Sequence, residues 1–225
     1  YIDLLIEKRV DGIIIAPISD RVDQIEKGLT TKIPVVYVSN IPKNSDKSYV
    51  VIDNIRGGFL ATRHLIEAGY YPIGFIGAPE GSFTVDERFE GYKMAFEKYG
   101  LKPEERYIRF GDFKRETGYK LIKEMIARND YPRAVFAEND LMALGTLQGV
   151  RESGLSVPGH IAVVGFDDIP FASFPEVALT TVSQPKYRMG EIAVEILLEL
   201  ITAPAIGAVA RKIILEPELI VRNTG

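Results

Sequence analysis

Polar residues capable of ligand chemistry cluster directly behind short apolar runs in this 225-residue chain. Ile52 is followed by Asp53-Asn54, Phe110 by Gly111-Asp112-Phe113, Ala137 by Glu138-Asn139-Asp140, and Gly165 by Phe166-Asp167-Asp168. Small and polar residues fill positions 77–84 and lead into Arg88. Such a set offers carboxylate and amide acceptors, a guanidinium fork, and aromatic faces at Phe83 and Phe113. A sugar wants this mixture, with bidentate polar partners for its vicinal hydroxyls and an aromatic plate for its C–H face.

Each residue also has a plainer reading. Asp53, Asp140 and Asp168 precede candidate helices or turns, where Asx side chains commonly cap backbone N–H groups. Capping is the preferred role for Asp53 and Asp140. Asn139 and Asp167 each have a neighbouring Asp better placed to cap, so ligand contact is preferred for these two. Arg88 alone would be a weak signal, since a surface pair with Asp86 or Glu87 would explain it.

The residue inventory speaks against catalysis. The chain has two histidines; His64 falls within a helical stretch and His160 just before a strand, neither paired with a nucleophile or at metal-ligand spacing. No G-x-S-x-G, Walker A or H-E-x-x-H motif occurs, and Gly74, Gly77 and Gly81 do not spell a dinucleotide-binding turn. The adjacent carboxylates Asp167-Asp168 need not face one another. A non-enzymatic chain with no cofactor and no metal is expected.

Bulk properties narrow the class further. With 46% hydrophobic and 26% charged residues, the composition is that of an ordinary globular protein. A net charge of −4 argues against nucleic-acid binding by this stretch itself, because phosphate contacts need a basic face. No apolar run reaches the roughly 18 residues of a membrane span. The absence of cysteine removes disulfides and thiolate metal sites, and it fits a reducing cytoplasm. Residues 1–10 read as the last turns of an amphipathic helix without a start signal, so the sequence is expected to begin inside a larger protein.

The elements that must carry the polar clusters alternate regularly. Strands are predicted at 12–16, 35–38, 49–52, 73–76, 107–110, 134–137 and 161–165, with a C-terminal pair at 212–215 and 219–222. Unbroken apolar runs suit parallel strands buried on both faces. Helical stripes run through Phe89, Tyr92, Phe96 and Tyr99, through Ile192 to Ile201, and over 54–68, which Gly69 stops. This alternation defines an α/β fold with doubly wound parallel sheets. The C-terminal pair, broken at Glu216-Pro217, returns to an earlier sheet, and 203–208 is expected to be a crossing linker.

Several segments taken in order resemble the LacI/GalR family of transcription regulators. They are Val51-Ile-Asp-Asn-Ile-Arg-Gly-Gly58 with Ala61 and His64-Leu-Ile-Glu-Ala-Gly69, then Ala134-Val-Phe-Ala-Glu-Asn-Asp-Leu-Met-Ala-Leu-Gly145. Val157-Pro158 leads into Ile161-Ala-Val-Val-Gly-Phe-Asp-Asp168. Leu179-Thr-Thr-Val-Ser-Gln-Pro185, Met189-Gly190 and Leu215-Glu-Pro-Glu-Leu-Ile-Val-Arg222 complete the series. The resemblance covers essentially the whole chain.

That resemblance implies two lobes of the periplasmic binding protein-like I type, joined by three crossovers. Lobe one would hold 1–70 plus 183–205 and lobe two 71–180 plus 208–225. It implies an absent N-terminal helix-turn-helix head that binds operator DNA, and a cytoplasmic homodimer with no membrane association. Its effector site, in the cleft between lobes, would use Arg88, Asn139 and Asp167, the stacking ring of Phe113, the loop residues Ser82 and Thr84, and Gln184 near a crossover. Ser82 stands where purine-responsive members usually carry a second basic residue, so the effector is expected to be a neutral sugar. Ala16, after the first strand, departs from some sugar-binding members. Asn54, Gly57, Gly58 and Ala61 are candidates for the dimer interface, although packing on their own sheet explains small residues equally well. The alternatives are a periplasmic or lipoprotein sugar-binding protein serving transport, and a regulator answering to a purine or a protein corepressor.

Overall fold

In the computed structural model, residues 1–17, 33–42, 45–79, 83–202 and 209–225 are described. Ser82 and the expected linker at 203–208 lie outside them. The chain divides into two compact units, Tyr1–Asp53 with Pro185–Leu215, and Asn54–Gln184 with Glu216–Gly225. It therefore passes between units three times.

The first unit begins with helix α1 (Ile2–Glu7) and a sheet of β1 (Ile13–Ile15), β2 (Val35–Val38) and β3 (Ser48–Ile52). After helix α6 (Lys186–Thr202), strand β9 (Lys212–Leu215) completes the all-parallel order β1-β2-β3-β9. Val36, Tyr37 and Val50 are fully buried in it, as their apolar runs require. On α6, Met189, Ile192, Ala193 and Ile196 recur at helical spacing and form its buried stripe.

The second unit carries α2 (Asn54–Glu67), β4 (Ile73–Gly77), α3 (Phe83–Lys98), β5 (Ile108–Phe110), α4 (Arg115–Ala127), β6 (Ala134–Ala137), α5 (Asp140–Glu152), β7 (Ala162–Asp167), β8 (Thr180–Ser183) and β10 (Glu218–Ile220). Its sheet runs β10-β8-β7-β6-β4-β5, parallel except for β10, which pairs antiparallel with β8. The predicted C-terminal pair is thus divided: β9 joins the first unit's sheet and β10 the second. Pro217 stands between them and cannot donate to a ladder.

Side-chain alternation on the central strands builds two cores. Ile76, Val135, Ala137 and Val163 point to α4 and α5, packing with Ile122, Met125, Met142 and Leu147. Phe75 faces the other way, against Phe89 and Tyr92 of α3 and Phe136 of β6, at ring separations of 5.0 to 5.5 Å. Each such buried ring contributes roughly 1.5–3 kcal/mol through area removed from water. The Tyr92 hydroxyl donates to the Ile73 carbonyl at 2.8 Å, so its burial leaves no polar atom stranded.

Within each layer the paired helices touch through glycine. A Cβ on Gly58 of α2 would fall 2.1 Å from the Arg88 carbonyl oxygen, and one on Gly91 of α3 2.0 Å from that of Ile55. Gly118 and Gly145 do the same for α4 and α5, at 2.1 and 1.9 Å. The same contacts accompany the division into units. α2 belongs to the second unit, held there by its glycine contact with α3, and Lys212–Leu215 belongs to the first.

Candidate functional site

The carboxyl ends of β6 and β7 and the start of α3 bring most of the polar residues together in the second unit. Arg88, in the second turn of α3, is only 6% exposed. Its Nε donates to Asn54 Oδ1 at 3.0 Å, and its Nη1 donates to the Glu138 carbonyl oxygen at 2.8 Å and to Glu138 Oε1 at 3.2 Å. The guanidinium plane rests 3.6 Å from the centroid of the Phe166 ring, and Nη1 lies 4.0 Å from Asp167 Oδ1. Its partners are therefore not Asp86 or Glu87, the neighbours that a surface role would use. Burial of an arginine demands these acceptors, since an unpaired guanidinium in a dry site is expensive.

Asp167 ends β7 with φ of +111°. For a residue with a Cβ this is sparsely populated backbone, costing on the order of 1–3 kcal/mol, and such strain concentrates at functional sites. Gln184, one residue past β8, donates from Nε2 to Asp167 Oδ1 at 2.6 Å. Asp168, also at positive φ, accepts from Arg222 Nη2 at 2.7 Å.

Glu138 is the residue that sequence reasoning missed. It is wholly buried, and its Oε2 has no hydrogen-bond partner among the described residues. Burial raises its pKa to about 7, with Arg88 pulling it down and Asp167 and Asp86 pushing it up. The available signal was an acid placed directly after the wholly apolar run Ala134–Ala137, where burial was certain. Asn54 was read as an interface candidate and Phe166 was given no role, because their contacts with Arg88 span long stretches of chain.

The capping assignment is reversed at the next two positions. Asn139 is the N-cap of α5: its Oδ1 accepts from the Met142 N–H at 2.8 Å, and its Nδ2 donates to the Phe113 carbonyl at 3.1 Å. Asp140 does not cap. It is buried, accepting from the Thr181 hydroxyl at 2.5 Å and from the Ile169 N–H at 2.8 Å, and burial raises its pKa to about 7. Extended backbone at Asn139 aims its side chain at the helix end, whereas Asp140 already lies inside the helix.

Phe113 is half-buried with φ of +65°, and Thr84 is half-buried in the first turn of α3. The structure thus links Arg88, Asp167 and Gln184 in one network and Asn139 with Phe113 beside it. The interface candidates lie inside the second unit. Asn54, Gly57, Gly58 and Ala61 are all buried, Asn54 on Arg88 and Glu87, Gly57 on Phe166 and Gly58 on the Arg88 backbone. They fill their own unit's interior.

A cavity of about 510 Å³ runs along the outer side of α5, lined by Leu141, Leu144, Leu147, Phe171, Val177 and Arg151 among others. No helix among the described residues is long and apolar enough to cross a membrane.

Comparison with known proteins places this architecture. The family described as periplasmic binding protein-like domain matches residues 62–224. The HTH-type transcriptional repressor PurR of Actinobacillus pleuropneumoniae serotype 5b (strain L20) is 36% identical over 225 residues, covering 100% of this chain and 67% of that protein. The transcriptional regulator CelR in its cellobiose complex superposes with a TM-score of 0.86 at 35% identity, over 99% of this chain and 68% of that one. The lac repressor dimer bound to operator and the anti-inducer ONPF gives 0.84 at 27% identity, over 99% and 76%. Fold and relatives define a periplasmic-binding-protein-like ligand-sensing domain. The chain belongs to the LacI family of transcriptional regulators, of which it forms the effector-sensing part.

Proposed function

We propose that this domain binds a neutral sugar at the Arg88 network and thereby sets the operator affinity of a DNA-binding head encoded outside these residues. The observation that carries the reading is the buried, fully oriented guanidinium beside a strained carboxylate at the strand ends. Asp167 and Gln184 supply an acceptor and a donor for vicinal hydroxyls, Asn139 an amide, and Phe113 a ring. Thr84 contributes from the first turn of α3, and Ser82 belongs to the same proposed set. The cellobiose-bound relative supports a sugar as the effector class. The ligand is bound and released unchanged, in the cytoplasm where the operator lies.

The ligand changes DNA affinity only through its differential affinity for two conformations, typically about 1–3 kcal/mol. Thermal denaturation against a panel of sugars, nucleobases and phosphosugars tests the reading. At a hundredfold excess over Kd a ligand should add about 2.7 kcal/mol of stability. A sugar that stabilises the native protein and Asp167→Ala equally would refute the site, and stabilisation by a nucleobase alone would refute the class.

We also propose that the domain pairs with a second copy through the outer side of α5. Leu141 and Phe171 are 47% and 58% exposed there, flanked by Arg115, Arg151 and Glu152. An apolar patch rimmed by both signs of charge is self-complementary about a two-fold axis. The dimeric relative supports the stoichiometry.

A further inference from the structure

Arginines that grip phosphate or carboxylate groups do so with two parallel N–H donors. In this site both such edges of Arg88 are already half used. Nε is engaged by Asn54, and Nη1 is engaged twice by Glu138, through backbone and side chain. Only Nη2 is left without a partner among the described residues, and it can give a ligand single-ended bonds alone. The charge is spent as well, since Glu138 sits against Nη1 at 3.2 Å and Asp167 lies 4.0 Å away. Meanwhile Glu138 Oε2 accepts nothing among the described residues, although leaving a buried acceptor unmet is costly. A carboxylate kept at such a cost calls for an explanation beyond packing.

We propose that Glu138 is a specificity-determining residue that restricts the site to uncharged hydroxylated ligands, by occupying the Arg88 fork and cancelling its charge against phosphorylated or carboxylated ones. The inference rests on the reading that the Arg88 network holds the effector. An incoming anion would meet Asp167 and Glu138 together with one unengaged nitrogen of Arg88. A hydroxyl asks only for the single donor that remains. Burial that raises the Glu138 pKa to about 7 also lets it take up a proton below that pH, which removes its charge and relaxes the exclusion.

The experiment uses sulfate, an anion whose charge does not change between pH 6 and 8, in calorimetric titration at constant ionic strength. Wild type at pH 8 should bind it at least tenfold more weakly than Glu138→Gln, and Arg88→Ala combined with Glu138→Gln should lose that gain. Equal sulfate affinity in wild type and Glu138→Gln overturns the proposal. Should Glu138→Gln fail to fold, wild type alone decides. Its sulfate affinity should rise several-fold from pH 8 to pH 6, and a flat profile overturns the proposal. The groups facing Glu138 are Arg88 and Asp86 of α3 and Asp167 of β7. Asp140 faces Thr181 and Ile169 instead, and Asp140→Asn should leave the profile in place. Failure of the sugar site itself reads differently: Arg88→Ala would then keep the sugar's stabilisation, whatever sulfate does.

Discussion

Arg88 Nη1 donates to Glu138 twice, once to the carbonyl oxygen and once to Oε1, so one residue satisfies both protons of that nitrogen. Removing the cation strands a buried carboxylate. Arg88→Ala should therefore lower stability by about 3–5 kcal/mol, read from chemical denaturation. Arg88→Lys should lose ligand binding as well, because an ammonium cannot reproduce the planar contacts to Asn54 and Phe166. A loss below 1 kcal/mol in Arg88→Ala would mean that Glu138 does not depend on it.

Stability should fall as pH rises from about 4.5 to about 7. Glu138 and Asp140 both have folded-state pKa values raised to about 7 by burial. Between the unfolded and folded values the native state holds more protons than the unfolded chain, so the slope of unfolding free energy against pH is negative there. Each group accounts for on the order of a few kcal/mol across its own window, which opens at 4.5 for Glu138 and at 3.8 for Asp140. Glu138→Gln and Asp140→Asn should each flatten part of the slope in melts taken from pH 5 to pH 8.

At the start of α5, Asn139→Ala should cost about 1 kcal/mol through the lost cap on the Met142 N–H. Asn139→Asp should keep most of that stability while losing the bond to the Phe113 carbonyl. If both variants are equally destabilised, the cap is not what Asn139 contributes.

Alanine in place of a mid-helix glycine ordinarily stabilises by roughly 0.5–1 kcal/mol. At Gly190 of α6, where a Cβ would meet nothing within 4 Å, that gain should appear. At Gly58 the sign should reverse, because the Cβ would strike the Arg88 backbone at 2.1 Å. Paired melting curves of the two variants decide it.

Phe171→Asp and Leu141→Asp should turn a dimer into a folded monomer by sedimentation velocity, since both side chains are largely exposed. Unchanged stoichiometry in both would exclude this face as the interface.

Legibility followed the physics of each element. The runs that became β4, β6 and β7 announced themselves because parallel strands buried on both faces are apolar throughout. β8 did not, because Thr-Thr-Val-Ser hides its burial: the Thr180 hydroxyl is met by the Gly225 carbonyl and the Arg222 N–H, and the Thr181 hydroxyl by Asp140. The small residues of α2 were visible, but not what they face.

From sequence alone came the α/β class, the family pattern, and the rule that ligand chemistry lies behind the strands, all of which depend on residue type and periodicity. Tertiary structure decided which of those polar residues meet. It alone gave α2 to the second unit, made Asn139 the cap, and turned Glu138 from a loop acid into the counter-charge of Arg88. Those outcomes depend on contacts between residues 34 to 50 positions apart, which no local pattern encodes.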